Sequence, residues 1–148
     1  MNLKSLMVDT KSAWIPYPGL KGFEVHVTNL GREKLVALRK SCIETRFDRR
    51  TKLPIEELDE KKFIRAFTDA TIKDWRGLKL SYVEQLMLVD ISGENPDAEL
   101  KYTQDDAELL VSNSGDFDTW MNEVVFDLDN FRSERNGGSV EEAREVAE

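Results

Sequence analysis

The chain has 148 residues and a mass of 17.0 kDa, which is the size of one ordinary domain. Its aromatic residues, three of them Trp, exclude disorder along the whole chain. A single cysteine excludes an internal disulfide and a multi-cysteine metal site, and no apolar run approaches the roughly 18 residues of a membrane span. We therefore expect a soluble protein of a reducing compartment that has no membrane association.

The charge is unevenly distributed along the sequence. Residues 1–92 carry 17 basic and 13 acidic side chains, a net charge of +4, whereas residues 93–148 carry 4 basic and 16 acidic side chains, a net charge of −12. Because each phosphate contact needs a cation, the acidic half disfavours general nucleic-acid binding. It favours solubility and contact with a basic protein partner, although a solvated acidic surface is the commoner meaning of such a pattern.

The N-terminal residues predict a flexible arm followed by a β-hairpin. Residues 1–12 show no hydrophobic period. Residues 23–28 alternate apolar and polar side chains, which is the pattern of a strand with one buried face. Pro18 and Gly19 suit the centre of a type II turn, so Trp14 and Ile15 would lie in the first strand of the hairpin.

The remaining folded part predicts helices. Apolar side chains recur at three- and four-residue steps from about Arg32 to Arg46, and again from a cap at Asp59 to Trp75. Residues 81–89 predict a short, buried helix.

Two further helices are predicted in the acidic half. Thr103 opens one with a variant of the capping box, and Asp116 can cap the last, which runs to Phe131. The predicted fold class is α+β, mainly α, with the N-terminal hairpin packed on a bundle of about five helices. The predicted organisation is a flexible arm at 1–12, a single mainly helical domain at 13–132 and a disordered acidic tail at 133–148.

The residue types that carry chemistry are sparse. The only histidine, His26, falls on the polar side of the predicted strand, and the only cysteine, Cys42, falls on an apolar helical stripe, so neither predicts nucleophilic catalysis. No EF-hand, Walker A or Gly-x-Gly-x-x-Gly pattern is present. We expect a protein that is not an enzyme and that holds no metal and no cofactor. Trp75, Trp120 and Phe131 lie on helical stripes and are expected in the core.

One basic stretch stands out between Arg32 and Lys52. A helix followed by further arginines could track a nucleic-acid backbone, and a small regulatory protein that binds nucleic acid through residues 39–52 is the alternative function. The cations could instead pair with the acidic half of the same chain or of a neighbouring subunit, which is the reading that we prefer. The candidate protein-interaction residues are Arg39, Arg46, Arg49 and Arg50.

Several short segments, in their order along the chain, resemble the tail assembly chaperones of long-tailed bacteriophages. The likeness covers roughly residues 12–132, and no single segment is specific. The segments are Trp14 to Pro18-Gly19, the alternating strand to Val27, the helix of Leu35 to Cys42, Phe47-Asp48-Arg49-Arg50-Thr51, Leu58-Asp59-Glu60-Lys61-Lys62-Phe63, Asp74-Trp75-Arg76-Gly77-Leu78, Tyr102-Thr103 with Leu109-Leu110, Phe117-Asp118-Thr119-Trp120, and Asn130-Phe131.

The resemblance implies a binding protein of the infected cell. Members of this family bind the long, aggregation-prone tape measure protein, keep it soluble while tail tube protein assembles around it, and are absent from the mature virion. The implied location is the host bacterial cytoplasm. Many members are made in two lengths by a ribosomal frameshift, and this chain would be the shorter form. Self-association is also expected, through the basic first helix and the acidic half.

Overall fold

A computed structural model of the chain describes residues 1–7 and 10–132. The tail predicted at 133–148 lies outside the described residues. In chain order the elements are α1 (Leu3–Leu6), β1 (Ser12–Pro16), β2 (Glu24–Thr28), α2 (Arg32–Ser41), β3 (Ile43–Phe47), β4 (Pro54–Leu58), α3 (Glu60–Thr71), β5 (Ile72–Arg76), α4 (Leu80–Leu86), α5 (Gln104–Asn113), α6 (Gly115–Phe126) and α7 (Asp129–Arg132).

The centre of the fold is a three-stranded antiparallel sheet in the order β1-β2-β5. The predicted hairpin forms its first two strands, and Val25 and Val27 of the central strand are fully buried, as their alternation with polar residues predicts. Gly19 takes a φ of 85° in the connection between them, a left-handed conformation that glycine adopts without strain.

The helices α3, α5 and α6 pack on one another, and the core lies between them and the inner face of the sheet. Phe23 of the hairpin contacts Phe117 of α6, with ring centroids 6.4 Å apart. Trp75, Trp120 and Phe131 are buried, so their predicted core placement is confirmed. Within residues 1–7 and 10–132, the structure contains no helix with both the length and the apolar character that a bilayer crossing requires.

The predicted fold class, a hairpin on a bundle of about five helices, is wrong. The described residues form seven helices and five strands in two small antiparallel sheets that are not closed, with 45% helix and 21% strand. Two of the predicted helices are shorter than expected, and a strand occupies the C-terminal part of each predicted range. The first ends at Ser41 and is followed by β3, and the second ends at Thr71 and is followed by β5.

Two of the three predicted helix caps are present in the structure. Asp59 caps α3 by accepting a hydrogen bond from the Lys62 N–H, and Thr103 caps α5 by accepting one from the Asp106 N–H, as predicted. The predicted cap at Asp116 is wrong, because the hydroxyl of Ser114 accepts the hydrogen bond from the Phe117 N–H and begins α6 two residues earlier. The last helix also ends sooner, at Phe126, and Phe131 belongs to the separate turn α7.

Candidate functional site

Strands β3 and β4 form a two-stranded ribbon that no other strand within residues 1–7 and 10–132 extends. The ribbon, defined here as residues 43–58, comprises both strands and the connection 48–53. None of its ten strand residues is buried. It rises between α2 and α3 from a fixed base, where the Asp59 N–H donates to the Cys42 carbonyl at 2.9 Å and the Cys42 side chain is fully buried. The predicted core position of Cys42 is therefore confirmed.

One face of the ribbon is largely apolar. Residues directly opposite in an antiparallel pair point to the same side, so the pairs Ile43 with Leu58 and Phe47 with Pro54 share a face. Ile43 is 42% exposed and Phe47 is 67% exposed. Leu53, next to Pro54, is 61% exposed. An isolated two-stranded ribbon is only marginally stable in water. A partner that covered this apolar face would therefore stabilise the ribbon.

The opposite face and the connection carry most of the charge, while Glu56, which is paired with Thr45, adds one carboxylate to the apolar face. Glu44 faces Glu57 across the ribbon, and Arg46 faces Ile55. The Arg46 guanidinium lies 3.3 Å from the Glu57 carboxylate, an exposed ion pair that contributes little to stability but offsets part of the repulsion between the two glutamates.

The connection between the strands has a defined turn geometry. The Asp48 carboxylate accepts a hydrogen bond from the Arg50 N–H at 2.8 Å, and Lys52 takes a φ of 56°. This turn presents the exposed side chains of Arg49, Arg50 and Lys52 at the end of the ribbon farthest from its base.

At the base of the ribbon, hydrogen bonds lower the pKa of one carboxyl group. The Lys62 backbone N–H, with further contributions from the Glu44 side chain and the charge of Lys62, holds the pKa of Asp59 below its ordinary value. A surface cavity of about 240 Å³ lies beside it and is lined by Glu44, Arg46, Glu57, Asp59 and neighbouring residues. The carboxylate that caps α3 therefore stays ionised to a lower pH than an ordinary aspartate does.

The structure brings together three of the four predicted interaction residues. Arg46, Arg49 and Arg50 lie on the ribbon, whereas Arg39 lies on α2 with its guanidinium 5.5 Å from the centroid of the Phe63 ring. In the part of the chain that the structure describes, none of the four forms an ion pair with the acidic half. The predicted intramolecular pairing of these cations is therefore not seen there.

A second surface, which the sequence analysis did not single out, is the outer face of the central sheet. Trp14 stacks on His26 with ring centroids 4.8 Å apart, and the Arg76 guanidinium lies 4.2 Å from the Trp14 ring centroid and 2.9 Å from Glu24. His26 is half-buried in this stack rather than freely solvent-facing. The predicted hairpin could have indicated the contact between Trp14 and His26, because its register places the two residues directly opposite each other.

The described residues contain no group of three or more His, Cys, Asp or Glu side chains placed to hold a metal ion. No family model, curated protein or solved structure matches the chain. Of the surfaces described above, the ribbon is the most exposed.

Proposed function

We propose that the chain is a non-enzymatic tail assembly chaperone of a long-tailed bacteriophage. In this proposal it binds the tape measure protein in the host bacterial cytoplasm, keeps it soluble, helps to recruit tail tube protein and is not retained in the mature virion. The proposal rests on the ordered segments that resemble this family, and the ribbon is the structural observation that carries it.

The apolar face of the ribbon suits an aggregation-prone client. Ile43 and Phe47 are held outward on a scaffold of backbone hydrogen bonds, so a client segment can cover them without any rearrangement of the core. Aromatic side chains in such positions contribute strongly to protein interfaces. The acidic half supplies the net charge that keeps a complex with an apolar client in solution.

The test is co-expression of the tape measure protein from the same genome with and without this chain. We expect the tape measure protein to move from the pellet to the soluble fraction and to co-purify with the chain. If it precipitates equally in both cases, the proposed function is wrong.

Matched variants locate the client surface. The double variant I43S/F47S removes two exposed apolar side chains from one face of the ribbon, and L88S removes a side chain that is 102% exposed elsewhere. We expect the double variant to lose most of the co-purified client and L88S to retain it. Equal retention by both variants would show that the client binds another surface, with the chaperone function itself untouched.

Nucleic-acid binding through residues 39–52 is the second candidate function, and one observation favours it. A two-stranded ribbon fits the major groove of B-DNA, and this ribbon presents Arg49, Arg50 and Lys52 at its end. The carboxylates of Glu44, Glu56 and Glu57 on the same element oppose it. Retardation of a labelled duplex or RNA in low salt, lost in R49E/R50E, would support this function, and no retardation would remove it.

A further inference from the structure

Helix α2 has the least support from the core among the longer helices. Of the four helices with ten or more residues within 1–7 and 10–132, it alone has no buried residue. Leu35 and Leu38 are half-buried against the core, and Gly31, which precedes the helix, has no side chain to cap it. Because packing of one face supplies most of the stability of a helix in a protein, a segment that covered the outer face of α2 would stabilise it.

The outer face of α2 is basic and carries one apolar side chain. We call it the α2 face and define it by the exposed residues Arg32, Val36, Arg39 and Lys40. Arg32, Val36 and Lys40 follow one another at steps of four and therefore form one row along the helix. Val36 is 45% exposed. Glu33 lies beside this row, so the face has three cations against one carboxylate.

The cations of the α2 face have no carboxylate partner among the described residues. No ion pair within residues 1–7 and 10–132 involves Arg32, Arg39 or Lys40, although the Arg39 guanidinium lies over the Phe63 ring. Arg32 also stands in the first turn of α2, where the positive end of the helix dipole disfavours a cation. An anionic group that approached the α2 face would therefore lower its electrostatic free energy.

The chain itself contains a segment of the opposite charge. Residues 139–148 include four glutamates and one arginine. Apolar side chains recur among them at steps of four and three, at Val140, Ala143 and Ala147 when counted from either end, so a helix of these residues would carry them on one face between its carboxylates. The α2 face has the complementary arrangement, with Val36 between cations.

This segment begins close enough to reach α2 within one molecule. The Leu30 N–H donates to the Val125 carbonyl at 3.4 Å, which holds the C-terminal end of α6 beside the start of α2. The described residues end at Arg132, seven positions after Val125. Residues 133–138 can span at most about 20 Å, whereas α2 is only about 15 Å long. Residues 139–148 can therefore lie along the α2 face of their own chain.

We propose that residues 139–148 dock on the α2 face of the same molecule. Their glutamates would pair with Arg32, Arg39 and Lys40, and their apolar side chains would cover Val36. The contact shields the α2 face from polyanions, which bind through such cations. It joins two parts of one chain, leaves the apolar face of the ribbon open to a client, and does not depend on the proposed chaperone function.

The first test is paramagnetic relaxation by NMR in the full chain with a nitroxide attached at E148C. The native Cys42 is fully buried, so the label reacts with the introduced cysteine. We expect the amide signals of residues 32–40 to lose most of their intensity and to recover it in high salt. A dilute mixture of spin-labelled chain and isotope-labelled chain without the nitroxide should show no loss, and a loss there would overturn the proposal by placing the contact between copies.

Charge variants of the α2 face show whether its cations hold the segment. R32E/K40E should restore the amide signals in the labelled chain. K21E/K101E makes the same change in net charge at two exposed lysines outside the α2 face, and its signals should stay weak. Signals of residues 32–40 that keep their intensity beside the label, or a loss that R32E/K40E does not reverse, would overturn the proposal.

The second test measures the shielding, with heparin as the polyanion. The variant E141Q/E142Q/E145Q should elute from immobilised heparin at a higher salt concentration than the control E84Q/E94Q/E99Q. The control makes the same change in net charge at three exposed glutamates of the described residues, away from the segment. Elution of both variants at the same salt concentration would show that residues 139–148 do not shield the α2 face and would overturn the proposal.

Discussion

Alanine at Gly77 should destabilise the fold much more than alanine at another glycine with a left-handed backbone. Gly77 follows β5 directly and has a φ of 74°. A Cβ atom there would lie 2.0 Å from the carbonyl oxygen of Gly22 and 2.7 Å from its carbonyl carbon. The atoms that obstruct it are backbone, so no side chain can rotate away and the hairpin connection itself must move.

Two contributions give the expected magnitude. The left-handed conformation costs a residue with a Cβ about 1–2 kcal/mol. Overpacking adds about 1–3 kcal/mol, since the connection must shift by more than about 1 Å and Phe23, fully buried beside it, shifts too. Gly93 has a φ of 88° with nothing within 4 Å of its added Cβ, so G93A reports the first contribution alone.

The assay is urea unfolding of G77A, G93A and wild type, followed by the fluorescence of the buried Trp75 and Trp120. With a slope of about 2 kcal/mol per molar urea, G77A should lower the midpoint by about 1–2.5 M, and G93A by about 0.5–1 M. A G77A midpoint equal to that of G93A would refute the reasoning, because it would mean that β5 does not pack against the connection of the hairpin.

Three further predictions test the caps and the ribbon. S114A removes the hydroxyl that caps α6 and should lower the free energy of unfolding by about 1 kcal/mol, seen as a fall of about 4 °C in the melting temperature; an unchanged melting temperature would contradict the cap. Because hydrogen bonding lowers the pKa of Asp59 in the folded state, its ionised form stabilises the fold above the ordinary aspartate pKa, and this contribution is lost as the pH falls through the lowered pKa. D59N can still cap α3, so its urea midpoint should fall less between pH 6 and pH 3 than that of wild type. Equal falls would exclude a contribution of ionised Asp59 to stability. Backbone amides of the ribbon should exchange with deuterium faster than those of β2, and equal protection of the two would mean that the ribbon is stable alone.

The first hairpin could be predicted because the alternation of apolar and polar residues in its second strand shows which face is buried. Val25 and Val27 point into the core while Glu24 and His26 do not, so the period of two is visible without knowledge of any neighbour. The caps at Asp59 and Thr103 were equally local, since each is made by a side chain and a backbone N–H three residues away. Both the alternation and the caps involve residues only a few positions apart, so neither requires knowledge of the tertiary fold.

Strand β5 was mistaken for the end of a helix for a specific geometric reason. Its core residues Ile72 and Trp75 are three positions apart, which is a helical spacing. They face Val27 and Val25, only two positions apart on β2, because the register shifts between His26 and Val27. The irregularity absorbs the extra residue. Only the pairing partner distinguishes this strand from a helical turn, and one sequence without its fold does not show that partner.

The ribbon was missed for the opposite reason, since it has no buried face to impose a period. Glu44, Thr45 and Arg46 are three polar residues in succession, so β3 lacks the alternation of apolar and polar side chains that marks a half-buried strand. Charge alone predicts Arg46, Arg49 and Arg50 as interaction residues, but the sequence pattern assigns Arg46 to the end of a helix, whereas the structure places it in β3. Arg39 was grouped with them by proximity in sequence, but the structure separates it, on α2 above Phe63.

The apolar side chains of the ribbon remain unexplained by folding alone. Phe47 at 67% exposure and Leu53 at 61% gain only about a third of the roughly 1.5–3 kcal/mol that full burial of such a side chain provides. A polar residue at either position would cost the folded monomer little and would lower its tendency to aggregate. The rest of that free energy would be gained only if another polypeptide covered these side chains. An exposed element with arginines at its tip and an uncovered aromatic ring on one face is therefore better explained by binding than by stability.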